Sequence, residues 1–268
     1  MSTRTAELRA SAPFTPEVLA PEPAHSPRRS LVGYLAMPVI LGLVGLGFYL
    51  YVSAQQLDSI EARVLNATSL GIAVWQHVQL TAVSTVITLA IAVPLGVVLT
   101  RPFARRLRPY LLTVLTIAQA VPTIAVLVLL AVAFLFLGFQ AAVVGLVLYA
   151  IIPVLLNTMV GLEQVDESVL EAGRGMGMSA FGVLRRLELP LAVPIILAGV
   201  RTALVINVGT ATLTTYINAG GLGDVIVAGL STNRVLVQIV GAVLTAVLAL
   251  LIDYLAGLAE DFLRPKGL

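Results

Sequence analysis

Uncharged apolar runs alternate with short polar segments along this chain, and the runs match the thickness of a bilayer. Leu31–Ser53, Val78–Thr100 and Val235–Ile252 carry no charged residue. Pro109–Leu162 also carries none, and at roughly 20 apolar residues per crossing it has room for two helices. Gly138-Phe139-Gln140 is its natural break, because glycine disfavours helix interiors. Leu189–Leu213 is apolar apart from Arg201 and Asn207. The pattern predicts six membrane-spanning helices. Pro94, Pro122 and Pro153 fall inside the second, third and fourth, where a missing N–H predicts kinks.

Basic residues orient the spans. With the N-terminus inside, the inner segments hold Arg4, Arg9, Arg28, Arg29, Arg101, Arg105, Arg106, Arg108, Arg174, Arg185, Arg186, Arg264 and Lys266. The outer segments hold only Arg63 and Arg234, and Arg201 lies inside a span. The asymmetry predicts an even number of spans with both termini in the cytoplasm. Residues 1–30, with five prolines, are expected to be a disordered cytoplasmic tail, and 261–268 a second, short one. Arg28-Arg29 before an apolar run resembles an export signal, but the run is too long for a signal core and reads as the first spanning helix, 31–53.

Composition agrees. The chain is 59% hydrophobic and 11% charged, with mean hydropathy +1.00, against about 25% charged residues in soluble domains. With no cysteine and only His25 and His77, it offers no thiolate or histidine cluster for a metal, and no cofactor is expected. Its single lysine is Lys266, so it lacks the Gly-x-x-x-x-Gly-Lys-Ser/Thr loop that cradles nucleotide phosphates. Any ATP-driven work needs another chain, so this one is not expected to be an enzyme.

The densest chemistry lies between Glu163 and Pro190, with five carboxylates and three arginines. Glu163, Asp166, Glu167 and Glu171 recur at helical spacing, with acids near the positive N-terminal end of a short helix. Gly173, Gly175 and Gly177 permit a tight turn. Ser179 is a plausible N-cap for a second short helix, Ala180–Leu187. Arg185 and Arg186 stand near its C-terminal end, and Pro190 opens the next span. The result is an elbow outside the membrane, joined to a spanning helix.

Glu171, Ala172, Gly177, Leu189 and Pro190 stand at the spacing of the coupling motif of binding-protein-dependent ABC importers, which reads Glu-Ala-Ala, three residues, Gly, nine residues, Ile, one residue, Leu-Pro. Gly173 replaces its second Ala and Leu187 its Ile; Gly173 is expected to loosen the helix end. The segments 174–179, 198–203, 206–212 and 219–224 resemble importers for glycine betaine, choline, carnitine and related osmoprotectants. The resemblance covers about 70–260. It implies an all-α, MetI-like ABC permease fold in a bacterial inner membrane, with coupling helices at 163–187. It further implies two ABC ATPase subunits, a second permease chain, identical or related, and an extracytoplasmic solute-binding protein. By the same resemblance, Glu171, Ala172, Gly173, Gly177, Leu187, Leu189 and Pro190 form the ATPase-coupling contact.

Two groups are candidates for the solute path. Arg201 is the one charge well inside a span, with Asp253 a candidate partner; it serves either the pathway or helix packing. Asn207, Thr210, Thr212, Thr214 and Thr215 continue that span with small polar groups, which either line a path or bond between helices. Gly220, Gly221 and Gly223, closed by Asp224, are expected to form a flexible outer loop serving as external gate or binding-protein dock. Rival readings are a permease for another small solute such as an amino acid, an ion-coupled secondary transporter with Arg201 and Asp253 as relay, and a non-transporting scaffold.

Overall fold

The computed structural model describes residues 31–104 and 106–263. The tail at 1–30, Arg105 and 264–268 lie outside the described residues. The chain divides into two units at Ala36 and Met37. Of the first, the described part is the opening of helix α1 (Leu31–Ser53). The second holds α2 (Ser59–Val64), α3 (Ala67–Leu99), α4 (Arg108–Ala120), α5 (Thr123–Ala133) and α6 (Phe139–Glu163). There follow α7 (Glu167–Gly175), α8 (Ala180–Val183), α9 (Leu189–Thr210), α10 (Leu222–Ser231) and α11 (Val235–Leu263). All regular structure among the described residues is helical.

Five segments are long and apolar enough to cross a membrane, and α4 with α5 makes a sixth if that bent pair is one span. The sequence expected a third span with a kink. Instead, α4 and α5 meet at 87°. The cause is Pro122, which lacks an N–H and drives Val121 out of helical backbone into extended geometry, ψ 128°. Tyr149 of α6 donates its hydroxyl to the Val121 carbonyl left at the break, and Gln119 Nε2 donates to Tyr149 O at 2.9 Å. Gly138 does mark the next break. It takes φ +81° just before α6, and its N–H donates to Ile217 O at 2.8 Å.

Two other boundaries differ from expectation. The second span starts at Ala67 rather than Val78, capped by Asn66, whose Oδ1 accepts from Ser69 N at 2.9 Å. At 33 residues α3 is about 50 Å long, more than the roughly 30 Å hydrocarbon layer, so its polar first turns need not enter lipid. The last span continues to Leu263, so 261–263 are helical rather than tail.

The core is the packing of α3, α6 and α9. Apolar packing alone does little to join helices in lipid, so close backbone approach at small residues matters more. Gly96 of α3 lies where a Cβ would meet the Thr158 side chain at 2.7 Å, and Gly199 of α9 where it would meet Pro153 O at 2.7 Å. Around these contacts lie Ala92, Ala150, Val154, Leu155, Met159 and Ala203, all buried. Most large apolar residues of α1 face outward, and Leu41 is its buried residue among those described.

Candidate functional site

The elbow between α6 and α9 is built by capping. Asp166 Oδ1 accepts from Ser168 N at 2.8 Å at the start of α7, and that backbone bond holds the Asp166 carboxyl below its usual range. Leu170 and Gly173 face inward; Glu171 and Ala172 face out. Glu167 and Arg174 pair at 2.7 Å, but both are more than half exposed, and such pairs contribute about 0–1 kcal/mol.

α7 ends in two crossed bonds. Met178 N donates to Gly173 O at 3.1 Å and Gly177 N to Arg174 O at 2.9 Å, the Schellman pattern, which needs left-handed backbone just past the cap. Gly177 supplies it with φ +82°. Ser179 Oγ then accepts from Gly182 N at 3.2 Å to start α8.

The second rod differs from expectation. α8 is only four residues long and passes through a π-helical turn, Leu184–Glu188, into α9. Leu189 N bonds back to Leu184 O. Pro190, two residues into α9, has no N–H to give to Arg186 O, and a missing bond of this kind is a recognised cause of local rewinding. The elbow therefore continues into the spanning helix without a loop. Gly173 also corrects the expectation of a loosened end. It is buried, and a Cβ there would lie 2.5 Å from Leu187 Cδ1, so the two departures from the importer motif touch each other.

Two ion pairs brace this end. Arg101, just past α3, forks both oxygens of Glu188 and donates Nε to Val97 O at 3.2 Å. Glu188 is 5% exposed, and a carboxylate this buried requires such a partner. Arg108, at the start of α4, pairs with Glu163 at the end of α6. No local pattern marks either pair, because each joins residues more than 50 positions apart. The outer surface presents exposed Met176 and Phe181 beside a concavity of about 320 Å³ lined by Met178, Ser179, Phe181, Gly182, Arg185 and Arg186.

Arg201 of α9 does meet Asp253 of α11, through Nε–Oδ1 at 2.5 Å and Nη2–Oδ2 at 2.6 Å. Asn207 is fully buried and donates to Thr85 Oγ1 of α3 at 3.1 Å, which makes it an interhelical contact. The α-helix carrying them ends at Thr210, and 211–217 continue it as a 3-10 helix, within one apolar helical segment, Ala180–Ile217, that contains the expected span. Thr210, Thr212 and Thr214 return their hydroxyls to nearby carbonyls. Thr215 Oγ1 donates to Asp224 Oδ1.

The outer glycines are not a flexible loop. Gly220 and Gly221 take φ +81° and +103°, and Gly223 and Asp224 already belong to the first turn of α10. A Cβ on Gly223 would lie 2.0 Å from Thr212 O. Gln76 and His77 of α3 bond to this turn. Neither stood out in the sequence, where a lone histidine carries no pattern.

Residues 92–265 match the family model described as the binding-protein-dependent transport system inner membrane component. The chain belongs to this family. It is 41% identical over 192 residues to the carnitine transport permease protein OpuCD of Listeria monocytogenes, across 71% of this chain and 85% of that protein. It is 38% identical to the glycine betaine/carnitine/choline transport system permease protein OpuCB of Bacillus subtilis, across 72% and 88%. Identity to the osmoprotectant import permease protein OsmW of Salmonella typhimurium is 34% over 216 residues, 79% of this chain and all of that one. Among solved structures, the inward-facing MetNI methionine ABC transporter matches with TM-score 0.64 and 25% identity, over 73% of this chain and 96% of that one. The chain is thus an inner-membrane permease component of an ABC importer with the MetI-like fold, a family that works with an ATPase, a substrate-binding protein and a second permease.

Proposed function

We propose that this permease moves a small osmoprotectant such as glycine betaine, choline or carnitine across the inner membrane, and that ATP is hydrolysed on two separate ATPase subunits. The relatives' names support the solute class. A second permease chain, identical or related, completes the pathway, and an external binding protein delivers solute.

The coupling reading rests on one observation: the elbow is wedged at Gly173–Leu187 and runs through the π turn straight into α9. A rigid body of this form converts a push on Glu171 and Ala172 into displacement of a spanning helix. Gly177 forms its corner, and Leu187, Leu189 and Pro190 its root. ATP binding closes the ATPase pair, the elbows follow, and the cavity opens outward; hydrolysis resets it. Arg201, Thr210 and Thr212 are candidates for the path, with Asn207 fastening α9 to α3. Gly220, Gly221, Gly223 and Asp224 are candidates for the external gate or dock. The two-bond pairing of Arg201 with Asp253 supports a packing role over an ion relay.

The test is reconstitution in liposomes with ATPase and binding protein. ATP hydrolysis stimulated by loaded binding protein and coupled to uptake is expected. Uptake that needs no ATPase and collapses with the proton gradient would replace this reading with a secondary transporter.

A further inference from the structure

α9 carries the elbow's motion away from the coupling end. Val208 lies in its last turn, about 28 Å from Leu189 at 1.5 Å per residue. The last turn of a helix leaves carbonyls without N–H partners, and the first turn leaves N–H groups without acceptors. α10 begins without a capping side chain of its own.

Side chains of α3 reach both places, supplying the acceptors that α10 lacks and a donor at the Val208 carbonyl. Gln76 Oε1 accepts from Gly221 N at 3.1 Å, and His77 Nδ1 accepts from Leu222 N at 3.2 Å. On the other side of the same ring, Nε2 lies 2.9 Å from Val208 O. A backbone N–H only donates and a carbonyl only accepts, so these partners assign a neutral imidazole with its proton on Nε2. His77 is fully buried, so it touches neither solute nor binding protein.

We propose that His77, seconded by Gln76, is a positioning residue for transport: one imidazole bridges the end of α9 to the start of α10 and makes the far ends of α3, α9 and α10 move as one body. The proposal rests on the reading of this chain as the translocating subunit. The joint is tight on both sides. A Cβ on Gly220 would lie 2.5 Å from Gln76 Oε1, and one on Gly221 3.1 Å from His77 Nδ1. Beside it, Ala73 of α3, Leu222 and Val225 of α10 and Val237 of α11 form one buried apolar cluster. Apolar contact alone can slide. The imidazole, bonded in two directions, fixes the register of three helix ends.

His77→Asn keeps an acceptor near the Nδ1 position, and His77→Gln keeps a donor near the Nε2 position; His77→Leu keeps neither. The transporter is assembled in liposomes with ATPase and binding protein, and uptake of labelled glycine betaine, choline and carnitine is measured per assembled complex. Each polar variant is expected to lose about fivefold in maximal uptake, the effect of one net hydrogen bond, and His77→Leu more than either. Basal hydrolysis and the amount of complex are expected to stay near wild type. Wild-type uptake in both polar variants, or a loss of uptake matched by the same loss of assembled complex, overturns the proposal. If His77→Leu does not assemble, the two polar variants decide. A solute-independent arm separates this proposal from the functional reading. Hydrogen exchange over 219–224 is expected to speed up in His77→Gln, which loses the acceptor for Leu222, and to stay near wild type in His77→Asn. Equal exchange in the two overturns the joint even if none of the three solutes is carried, a result that would count separately against the proposed substrate.

Discussion

Gly173 and Leu187 fit each other: the hydrogen-only face of the glycine in α7 receives Leu187 Cδ1 where a Cβ would stand 2.5 Å away. A larger residue at one position requires a smaller one at the other. Gly173→Ala gains about 1 kcal/mol of helix propensity and loses it again by displacing Leu187. Combined with Leu187→Val, which removes the clashing carbon, the alanine should fit. The double variant is therefore expected to exceed the sum of the singles by about 1 kcal/mol in a double-mutant cycle, read by thermal unfolding in detergent and by coupled uptake. Additivity within about 0.3 kcal/mol would show that the contact does not matter.

Gly177 makes a different demand. Nothing lies within 4 Å of a Cβ there, but φ is +82°. The cost of substitution is conformational rather than steric, about 1–2 kcal/mol for an ordinary L-residue and less for asparagine. Uptake per assembled complex should fall in the order Asn, Ala, Val, with hydrolysis increasingly uncoupled and membrane insertion retained. Equal activity in all three would remove the corner from the mechanism.

The Arg101–Glu188 fork predicts a strongly non-additive pair of substitutions. Arg101→Ala leaves a buried carboxylate without its fork and should cost about 3 kcal/mol, whereas the same change in a Glu188→Leu background should cost less than half as much. Chemical or thermal unfolding of the detergent-solubilised protein measures both. Equal costs would mean that water already screens Glu188.

Arg201→Ala removes the two charge-assisted bonds that Arg201 gives Asp253 at the α9–α11 contact. The loss of two charge-assisted bonds should cost about 1.5–3 kcal/mol and reduce uptake, while the ATPase stays bound on co-purification. Release of the ATPase would move Arg201 from helix packing to docking.

What the sequence revealed was what local pattern can carry. Uncharged runs located most of the spans, and Asp166, Gly177, Ser179 and Pro190 marked the elbow because caps, turns and prolines act within a few residues. The first eleven residues of α3 escaped because Gln76 and His77 interrupt the apolar run while leaving the helix intact. The size of the bend at Pro122, 87°, and the bond from Tyr149 to the Val121 carbonyl beside it are tertiary features. α10 was hidden behind glycines that looked like a loop and prove to be close contacts. Arg101–Glu188 and His77–Leu222 depend on tertiary placement, which no single-sequence pattern encodes; Arg201–Asp253 was legible because few intramembrane charges leave few choices of partner.

In the proposed coupling, Glu171 and Ala172 ride on an elbow pushed by an ATPase. The chain has no cysteine, so Glu171→Cys gives a single reactive site on an exposed face. In native vesicles, a short bifunctional crosslinker at that cysteine should capture the ATPase subunit, with a yield that changes when ATP is replaced by ADP. No captured ATPase in vesicles that still transport would contradict the account.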